Sequence, residues 1–498
     1  MYEARLPPPP EPQPLQYFVP NQMLLLVEHT GRISPEQLAS FIKVVEQPLD
    51  GVRLGTRRVL TFTSPQTADK QAPAFSLVFL TVQGISDSTE RLIPLIDHIN
   101  DQLRQQAIAG LTLQVASPDW LLSGAPDHIG TGGPGTPPLS VAGSTLAGAG
   151  NFLASDAPWA WTLPDRLAPK LPPEQRGTGV DIAILDTAPC VHDLVHAYDR
   201  WQATQPLLRS LLRPGGQLHV QNADYSDLVR LAGYQLKDHR YVMADHGLFV
   251  AGIIHTLAPQ ANLHLIEVLN PYGVGDLESI ALGLWRLTKR QSQRPLLINC
   301  SLVVNIPLPG HPHPELNWER LINEPELAKL MGLPLESICN TLLGEQVQVV
   351  AAAGNDSSKH DLPARFPAAF NSVVGVGALQ KDGQPASYSN LSDTPVPNSI
   401  ATFGGTAHTG LATAGEAVLG VFTGDFPGTT PGSTTPNTNG WAWWSGTSFA
   451  TPVVTGVLAA LMSQGMSASA ASSMLQTADQ THAQTNAGEG VLAVRQGS

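Results

Sequence analysis

One serine stands in a setting that could support chemistry. The stretch Ser445–Pro452 follows a Gly/Thr/Pro-rich loop and leads into a run of small and apolar residues. At such a loop-to-helix junction the Ser448 hydroxyl is free, and the helix amides concentrate partial positive charge beside it. We expect Pro452 in the first turn, where its missing N–H costs little. Taken alone, the stretch is better explained as a helix start with Thr447 or Ser448 as its N-cap.

Three further motifs place a carboxylate, an imidazole and an amide beside predicted strands or helices. Asp186 ends an apolar strand, His246 opens a small-residue helix, and Asn355 follows a strand that ends in a glycine turn at Gly354. In open α/β sheets, functional groups gather just beyond the ends of the strands. Each motif alone also has an ordinary explanation: a turn-capping Asp, a structural His, and an Asn that tolerates left-handed geometry.

In the order Asp, His, Asn, Ser, the four motifs together resemble the subtilisin-like serine proteases, the subtilases. The resemblance runs from about Gly150 to the C-terminus. It includes three weaker matches, at 299–302, 365–368 and 488–492. The fold that it implies is a subtilisin-like parallel sheet with helices on both faces.

The resemblance implies a role for each residue. Ser448 is the expected nucleophile, His246 the base that takes its proton, and Asp186 the group that orients the imidazole. The Asn355 side-chain amide and the Ser448 backbone N–H are expected to form the oxyanion hole. No cofactor is required. Structural calcium is common in this family, but the sequence offers no recognisable ligand loop. The expected substrate-binding residues are Ser301, Leu302, Val303, Ala353 and Gly354.

Three departures from the family pattern bear on the substrate cleft. Ala188 stands where a glycine is usual, and Leu248-Phe249 replaces the usual Thr-His after His-Gly. Val303 replaces a common glycine, and its β-branched side chain adds bulk and stiffness. We therefore expect a preference against large aromatic side chains at the residue before the cut.

The hydrophobic pattern before residue 123 predicts a separate small domain. Apolar strands and helices alternate in the order β-α-β-β-α-β, which is ferredoxin-like α+β. We divide the chain into a Pro-rich tail (1–20), this N-terminal domain (21–122), a Gly/Pro-rich linker (123–150) and the protease domain (151–498). The extended stretch Ala116–Leu122 is placed to lie along the cleft as a strand-like substrate mimic.

From about residue 150, strands separated by helices predict a parallel sheet covered on both faces. Two segments look inserted: the helix-like stretch 201–212, and 306–345. The second contains His311-Pro312-His313, which is either a metal-binding pair or, as we favour, a solvated proline turn.

Composition narrows the class of protein. The net charge of -13 argues against nucleic-acid binding, and no stretch has the length of a membrane span. The N-terminus lacks the apolar core of a signal peptide. Three cysteines without metal-ligand spacing make a disulfide framework or zinc site unexpected. Together these features predict a reducing, cytoplasmic setting.

The leading hypothesis is therefore a serine endopeptidase, made as a zymogen, that acts on protein or peptide substrates. Its own N-terminal domain is the expected intramolecular inhibitor, cut off within the linker. A permanent accessory domain on a passive tether is the alternative. Two other functions stay open: an intracellular processing protease with narrow specificity for one partner protein, and a non-catalytic peptide-binding scaffold.

Overall fold

The structure is a computed structural model. It describes residues 17–47, 51–63, 73–85, 89–124, 137–142, 152–163, 170–224, 228, 231, 242–290, 292–307, 318–344, 346–357, 361–393, 395, 399–408, 411–428, 433–477, 490–492 and 495–496. The predictions for most of the Pro-rich tail, for much of the linker and for the His311-His313 turn fall outside the described residues. Among the described residues, no helix is both long and apolar enough to cross a bilayer.

The N-terminal domain has the predicted order of elements. Ser34 caps the first helix through a capping box with Gln37, and Pro35 takes the first helical position. The domain's strands form an antiparallel sheet in the order β5-β1-β3-β2. The elements are β1 (Phe18–Thr30), α1 (Pro35–Glu46), β2 (Arg53–Thr63), β3 (Pro73–Gln83), α2 (Thr89–Leu103), β4 (Ala107–Ile108) and β5 (Leu111–Gly124).

Strand β5 belongs to both parts of the molecule. Its N-terminal part pairs with β1 inside the N-terminal domain, from Thr112 opposite Glu28 to Trp120 opposite Phe18. The strand then continues to Gly124, two residues past the predicted domain boundary, and pairs with strands of the C-terminal part. A single seven-stranded sheet therefore joins the two domains.

The rest of the chain alternates strands and helices, as predicted. The first half contains β6 (Leu139–Ser140), β7 (Trp161–Thr162), a short 3-10 helix (Pro173–Gln175), β8 (Asp181–Asp186), α3 (Val191–Trp201), α4 (Pro206–Leu212), β9 (Leu218–Gln221), α5 (His246–Leu257), β10 (Asn262–Glu267), β11 (Val274–Asp276), α6 (Leu277–Thr288), β12 (Leu296–Cys300) and β13 (Leu302–Val304).

The second half contains α7 (Glu319–Asn323), α8 (Pro325–Leu342), β14 (Val347–Ala352), β15 (Val373–Leu379), β16 (Ser399–Phe403), β17 (Ala407–His408), β18 (Leu411–Ala412), β19 (Val418–Val421), β20 (Phe426–Pro427), β21 (Thr434–Thr435), β22 (Trp441–Trp444), α9 (Thr447–Met462), α10 (Ala468–Thr477), β23 (Gly490–Leu492) and β24 (Arg495–Gln496). Helices α7 and α8 lie in the stretch predicted as an insertion at 306–345, and α4 lies in the one predicted at 201–212.

Eight strands form the predicted parallel sheet, in the order β23-β16-β15-β14-β12-β8-β10-β9. Side chains alternate between its two faces. In β8, Ile182 and Ile184 join one core with helices α5 and α9, whereas Ala183 and Leu185 join the other with α6 and α8. The second core also runs through the N-terminal domain without a break, so the two domains share buried apolar side chains.

Candidate active site

The imidazole of His246 and the carboxylate of Asp186 form a buried hydrogen-bonded pair. His246 Nδ1 lies 2.7 Å from Asp186 Oδ1, and both side chains are fully buried. The same carboxylate oxygen accepts the Thr187 backbone N–H at 2.6 Å. A carboxylate acceptor at Nδ1 favours the tautomer with its proton there, which leaves the lone pair of Nε2 to take a proton. That Nε2 has no hydrogen-bond partner among the described residues.

Hydrogen bonds of the Thr187 hydroxyl connect the end of the strand that carries Asp186 to the segment around His246. Its hydroxyl lies 3.0 Å from the carbonyl oxygens of Met243 and Ala244, and it accepts the Gly247 N–H at 3.2 Å. A side chain at Gly247 would collide with the Thr187 backbone. The glycine after the histidine therefore allows the close approach that brings Asp186 and His246 together.

A buried carboxylate precedes His246. Asp245 accepts hydrogen bonds from the Thr423 hydroxyl at 3.0 Å, from the Gly424 N–H at 2.6 Å and from the Thr423 N–H. Burial raises the pKa of the Asp245 carboxyl, and these hydrogen bonds oppose that rise. The contacts tie the start of α5 to the loop after β19. Sequence reasoning did not single out Asp245 because nothing in the pattern marks its distant partners.

Ser448 is the second residue of α9, and Gly446 is the N-cap of that helix. The predicted alternative, in which Thr447 or Ser448 is the N-cap, is therefore wrong. The Ser448 hydroxyl donates to the Ser301 carbonyl at 3.3 Å. The neighbouring Phe449 ring lies 5.4 Å from the His246 ring, centroid to centroid. Ser448 thus lies beside the Asp–His pair, and its hydroxyl bonds to Ser301 rather than to His246.

The sequence prediction placed Pro452 one turn too early in the helix. It is the sixth residue of α9, inside the helix and not in its first turn. Because proline lacks an N–H, the Ser448 carbonyl has no helical donor four residues later. That carbonyl instead accepts the Ser301 hydroxyl at 2.9 Å. The proline therefore frees an acceptor that links α9 to Ser301, which lies between β12 and β13.

Asn355 presents a buried amide donor. Its Oδ1 accepts the backbone N–H of Thr447 at 3.0 Å and the Thr447 hydroxyl at 2.9 Å, so these bonds assign the other atom as Nδ2. Nδ2 has no hydrogen-bond partner among the described residues. Gly354 precedes it with a φ of 110°, a left-handed conformation that favours glycine. An N–H donor free of internal partners is what an oxyanion hole needs.

A buried ion pair supports the loop that carries Asn355. Arg365 donates to both carboxylate oxygens of Asp356, at 2.7 and 3.2 Å. The Asn390 amide donates to the same carboxylate at 3.1 Å and accepts the Asp356 N–H at 2.7 Å. Arg365 belongs to one of the weaker family matches. No signal in the sequence pointed to Asp356 or Asn390.

The predicted substrate-binding strand is β13, and the chain's own N-terminal domain lies along it. Residues 122–124 of β5 run antiparallel to Leu302–Val304, with Ser123 opposite Val303. On its other side the same stretch pairs with β11, and Gly124 N–H donates to the Gly273 carbonyl at 2.9 Å. The end of β5 is thus the middle strand of three, and its direction leads towards Ser301 and Ser448.

The remaining predicted site residues lie close by. Ala353 follows β14, and both its backbone groups bond within the catalytic domain, to Val376 and Arg365 at 2.9 Å. Leu248 and Phe249 are fully buried, and the Phe249 ring packs against Phe449 at 4.8 Å. Leu248 and Phe249 therefore fill the core behind His246. From the sequence we linked this departure from the family pattern to the cleft, but these side chains do not shape it.

The side chains of His, Cys, Asp and Glu are the usual protein ligands of metal ions. In the part of the chain that the structure describes, no group of three or more His, Cys, Asp or Glu side chains could hold a metal ion.

Comparison with known families settles the class. The model of the "Subtilase family" matches residues 177–497, which include all four motifs. The chain belongs to the subtilase family. The fold prediction, a parallel sheet covered on both faces behind a small α+β domain, is confirmed.

Curated relatives of this subtilase are named as proteases. The chain is 26% identical over 300 residues to an "Intracellular serine protease" of Paenibacillus polymyxa, which covers 58% of this chain and 68% of that protein. It is 28% identical over 182 residues to the "Minor extracellular protease Epr" of Bacillus subtilis, over 34% of this chain and 24% of that protein. The matched part is thus about a quarter of the Bacillus protein.

Solved structures give weaker likenesses. A "Lanthipeptide Protease" has a TM-score of 0.43 at 18% identity and covers 64% of this chain and 86% of that one. The "Prenylagaramide maturation protease PagA" has a TM-score of 0.37 at 19% identity and covers 64% and 92%. The assignment therefore rests on the family match and on the topology of the sheet.

Proposed function

We propose that this subtilase is a serine endopeptidase that hydrolyses peptide bonds through Asp186, His246 and Ser448. The observation that carries the proposal is the buried Asp186–His246 hydrogen bond beside the N-terminus of the helix that holds Ser448. His246 takes the Ser448 proton as the hydroxyl attacks the carbonyl carbon, and it later returns the proton to the leaving amine. The developing oxyanion receives hydrogen bonds from Asn355 Nδ2 and from the Ser448 N–H.

The N-terminal domain acts as an inhibitor bound in the cleft of its own chain. Support comes from the pairing of residues 121–124 between β11 and β13, the position that an extended peptide substrate would take. Ser448 and His246 are both fully buried while the domain is in place. A substrate therefore reaches the triad only when this strand leaves the cleft.

The triad is tested by labelling with a fluorophosphonate probe and by assaying a peptide-library digest. Wild type should react, whereas Ser448→Ala should neither label nor hydrolyse peptides. His246→Ala should lose hydrolysis as well. Asn355→Ala should keep a remnant, lowered on the order of 10²–10³ in turnover, a figure known from subtilisin itself. A Ser448→Ala protein with full turnover would overturn the assignment, and a protein that stays unlabelled even when Leu122→Arg displaces the N-terminal strand would favour the peptide-binding scaffold.

The inhibitory role is tested in the full-length chain by introducing a charged side chain into the strand that lies in the cleft. Leu122 is fully buried and lies outside the part of β5 that pairs within the N-terminal domain. Leu122→Arg should therefore expel the strand, since an unpaired buried charge costs several kcal/mol, and should speed labelling of Ser448 by about tenfold or more. Gln114→Arg, a half-buried position of the same strand, is the matched control. Equal labelling of both variants would contradict inhibition while leaving the triad intact.

Processing of the linker is a separate part of the proposal. Mass spectrometry should find a cut between about Leu122 and Phe152 in wild type and none in Ser448→Ala. An uncut wild type with full activity would make the N-terminal domain a permanent accessory domain.

The proposed location is the cytoplasm, a reducing compartment. It is supported by the three cysteines, all of which are free thiols, and by burial, which raises the pKa of Cys339 to about 12 and keeps that thiol unreactive. Fractionation of the producing cells tests it, and recovery of the protein outside the cell would refute it.

A further inference from the structure

The exposed face of α3 carries a pair of histidines that the catalytic mechanism does not use. His192 and His196 are four residues apart, so they lie one turn apart on the same side of the helix. The two Nε2 atoms face each other at 3.2 Å, and the ring centroids are 4.3 Å apart. Both residues are exposed, and 56% of the His192 side chain is accessible to solvent. Two imidazole nitrogens thus face each other at the surface.

This spacing fits two ligands of one metal ion. Zinc binds imidazole nitrogen at about 2.0–2.1 Å, so two nitrogens that subtend 90–110° at the metal lie about 2.9–3.4 Å apart. The observed 3.2 Å falls within that range. Histidines at i and i+4 on one helix are also the arrangement by which helical zinc motifs present two ligands.

We propose that His192 and His196 bind a late divalent transition-metal ion: zinc, copper(II) or nickel. Neutral imidazole prefers these ions, whereas calcium and magnesium prefer oxygen ligands. The described residues offer no third protein ligand, so water completes the coordination and the affinity is modest, in the micromolar range.

A neighbouring carboxylate favours the tautomer that the metal needs. Asp193 Oδ1 lies 3.8 Å from His192 Nδ1. A carboxylate on that side favours the proton on Nδ1, which leaves the Nε2 lone pair for the metal. The competing explanation of the 3.2 Å distance is a simple N–H···N hydrogen bond between two neutral rings.

Both ends of α3 are joined to the active site, although the histidines are not part of it. The helix begins after a turn of four residues from Asp186. Near its other end, Arg200 donates to the Asn437 carbonyl at 3.0 Å, in the loop before β22 and Ser448. A metal ion that bridges two turns of α3 stabilises the folded helix, because it binds the native arrangement and not the unfolded chain.

The test uses the full-length Ser448→Ala protein, made without a histidine tag and titrated with zinc by calorimetry. One equivalent should bind, and His192→Ala and His196→Ala should each weaken binding by tenfold or more. His408→Ala, which removes another exposed histidine, should leave binding unchanged. The copper(II) complex should show two coordinated nitrogens by electron paramagnetic resonance.

Three results would overturn the proposal: no zinc binding by the parent protein, binding that survives both α3 substitutions, and binding that is lost only when His311 and His313 are replaced. Thermal unfolding without metal checks that each variant is folded. Because both histidines lie on the surface, we expect equal melting temperatures in metal-free buffer.

Discussion

At the scale of single residues, the direction of the Asn355 amide is set by its neighbour Thr447. Both donors of Thr447, the backbone N–H and the hydroxyl, bond to Asn355 Oδ1. The hydroxyl also accepts the Gly354 N–H at 3.3 Å. Thr447 therefore fixes the Asn355 side chain through the amide oxygen, so that the amide nitrogen faces the site. Thr447 is a positioning residue, since its side chain acts through Asn355.

Replacing Thr447 by valine should lower kcat with little change in KM. The substitution removes one hydrogen bond to Asn355, worth about 1 kcal/mol, and leaves the backbone bond in place. We expect a loss of about fivefold in kcat. Thr447→Ser, which keeps the hydroxyl, should restore most of it.

Steady-state kinetics of the two variants on one peptide substrate provide the measurement. A purely structural defect would instead lower the fraction of active enzyme, which active-site titration with a fluorophosphonate detects. If titrated Thr447→Val keeps the wild-type kcat, the hydroxyl does not position Asn355.

The four residues proposed for catalysis were all named from the sequence, and their roles stay predictions. Asp186, His246, Asn355 and Ser448 lie within short motifs whose order is informative. Their supporting residues could not be found in this way. Asp245 bonds to Thr423, far along the chain, and such a contact leaves no local pattern.

At the scale of elements, strand β13 is where the proposed specificity and the proposed inhibition meet. Val303 is buried opposite Ser123 of the N-terminal domain, and its side chain packs against Ala352 at the end of β14. A substrate strand in place of β5 would lie against the same residue. That the bulk of Val303 restricts the cleft stays a prediction.

Val303→Gly should broaden the preference at the residue before the cut. Glycine removes the β-branched side chain from the wall and makes room for larger groups. A peptide-library digest should show wild type poor at cutting after Phe or Tyr, and the variant improved there. Val418→Gly, a buried position in β19, controls for general loosening of the core. A wild type that already cuts best after Phe or Tyr would show that Val303 does not restrict the cleft.

The helices and strands could be predicted from hydrophobic periodicity, but the pairing of the strands could not. Strand alternation and capping signals predicted strands within β1, β2, β3 and β5 and the alternation of strands and helices beyond residue 150, whereas the two-residue β4 was not predicted. The continuation of β5 to Gly124 was not predicted, since it depends on pairing with β11 and β13. Hydrogen-bond partners from another domain stabilise those last residues, and no local propensity encodes them.

At the scale of the whole molecule, a buried histidine should make the fold sensitive to acid. His255 on α5 is 2% exposed, and its Nε2 lies 2.9 Å from the Ser210 hydroxyl of α4. Burial, with a smaller contribution from Arg213, lowers its pKa to about 3. The unfolded chain takes up a proton below about pH 6.5, whereas the folded chain does not until near pH 3. Stability is therefore lost as pH falls between those values.

His255→Gln should remove this part of the acid sensitivity. For the parent, His255 alone should lower the free energy of unfolding by about 2 kcal/mol between pH 7 and pH 5. Urea unfolding of Ser448→Ala and of Ser448→Ala with His255→Gln, at both pH values, gives the difference. His408→Gln, at an exposed position, serves as control. An unchanged pH dependence in His255→Gln would mean that His255 is already protonated in the folded state.

The inserted helices α7 and α8 hold the N-terminal domain at a second place, away from the cleft. Trp318, just before α7, is 2% exposed and stacks on Trp120 of β5 with 6.1 Å between ring centroids. Its Nε1 donates to Asp97 of α2 at 3.2 Å. Arg320 pairs with Asp97 and Asp101 at 3.4 and 3.2 Å. The stretch predicted as an insertion therefore contacts the N-terminal domain.

Trp318→Ala should loosen that domain and expose Ser448 more often. Truncating a buried tryptophan costs on the order of 3–5 kcal/mol, here mostly at the contact between the two domains. Labelling of Ser448 by a fluorophosphonate in the uncut full-length chain should accelerate at least tenfold. Lys329→Ala, on the exposed face of α8 where Lys329 pairs only locally with Glu326, should label like wild type. Labelling of Trp318→Ala at the wild-type rate would mean that the strand in the cleft alone keeps the triad covered.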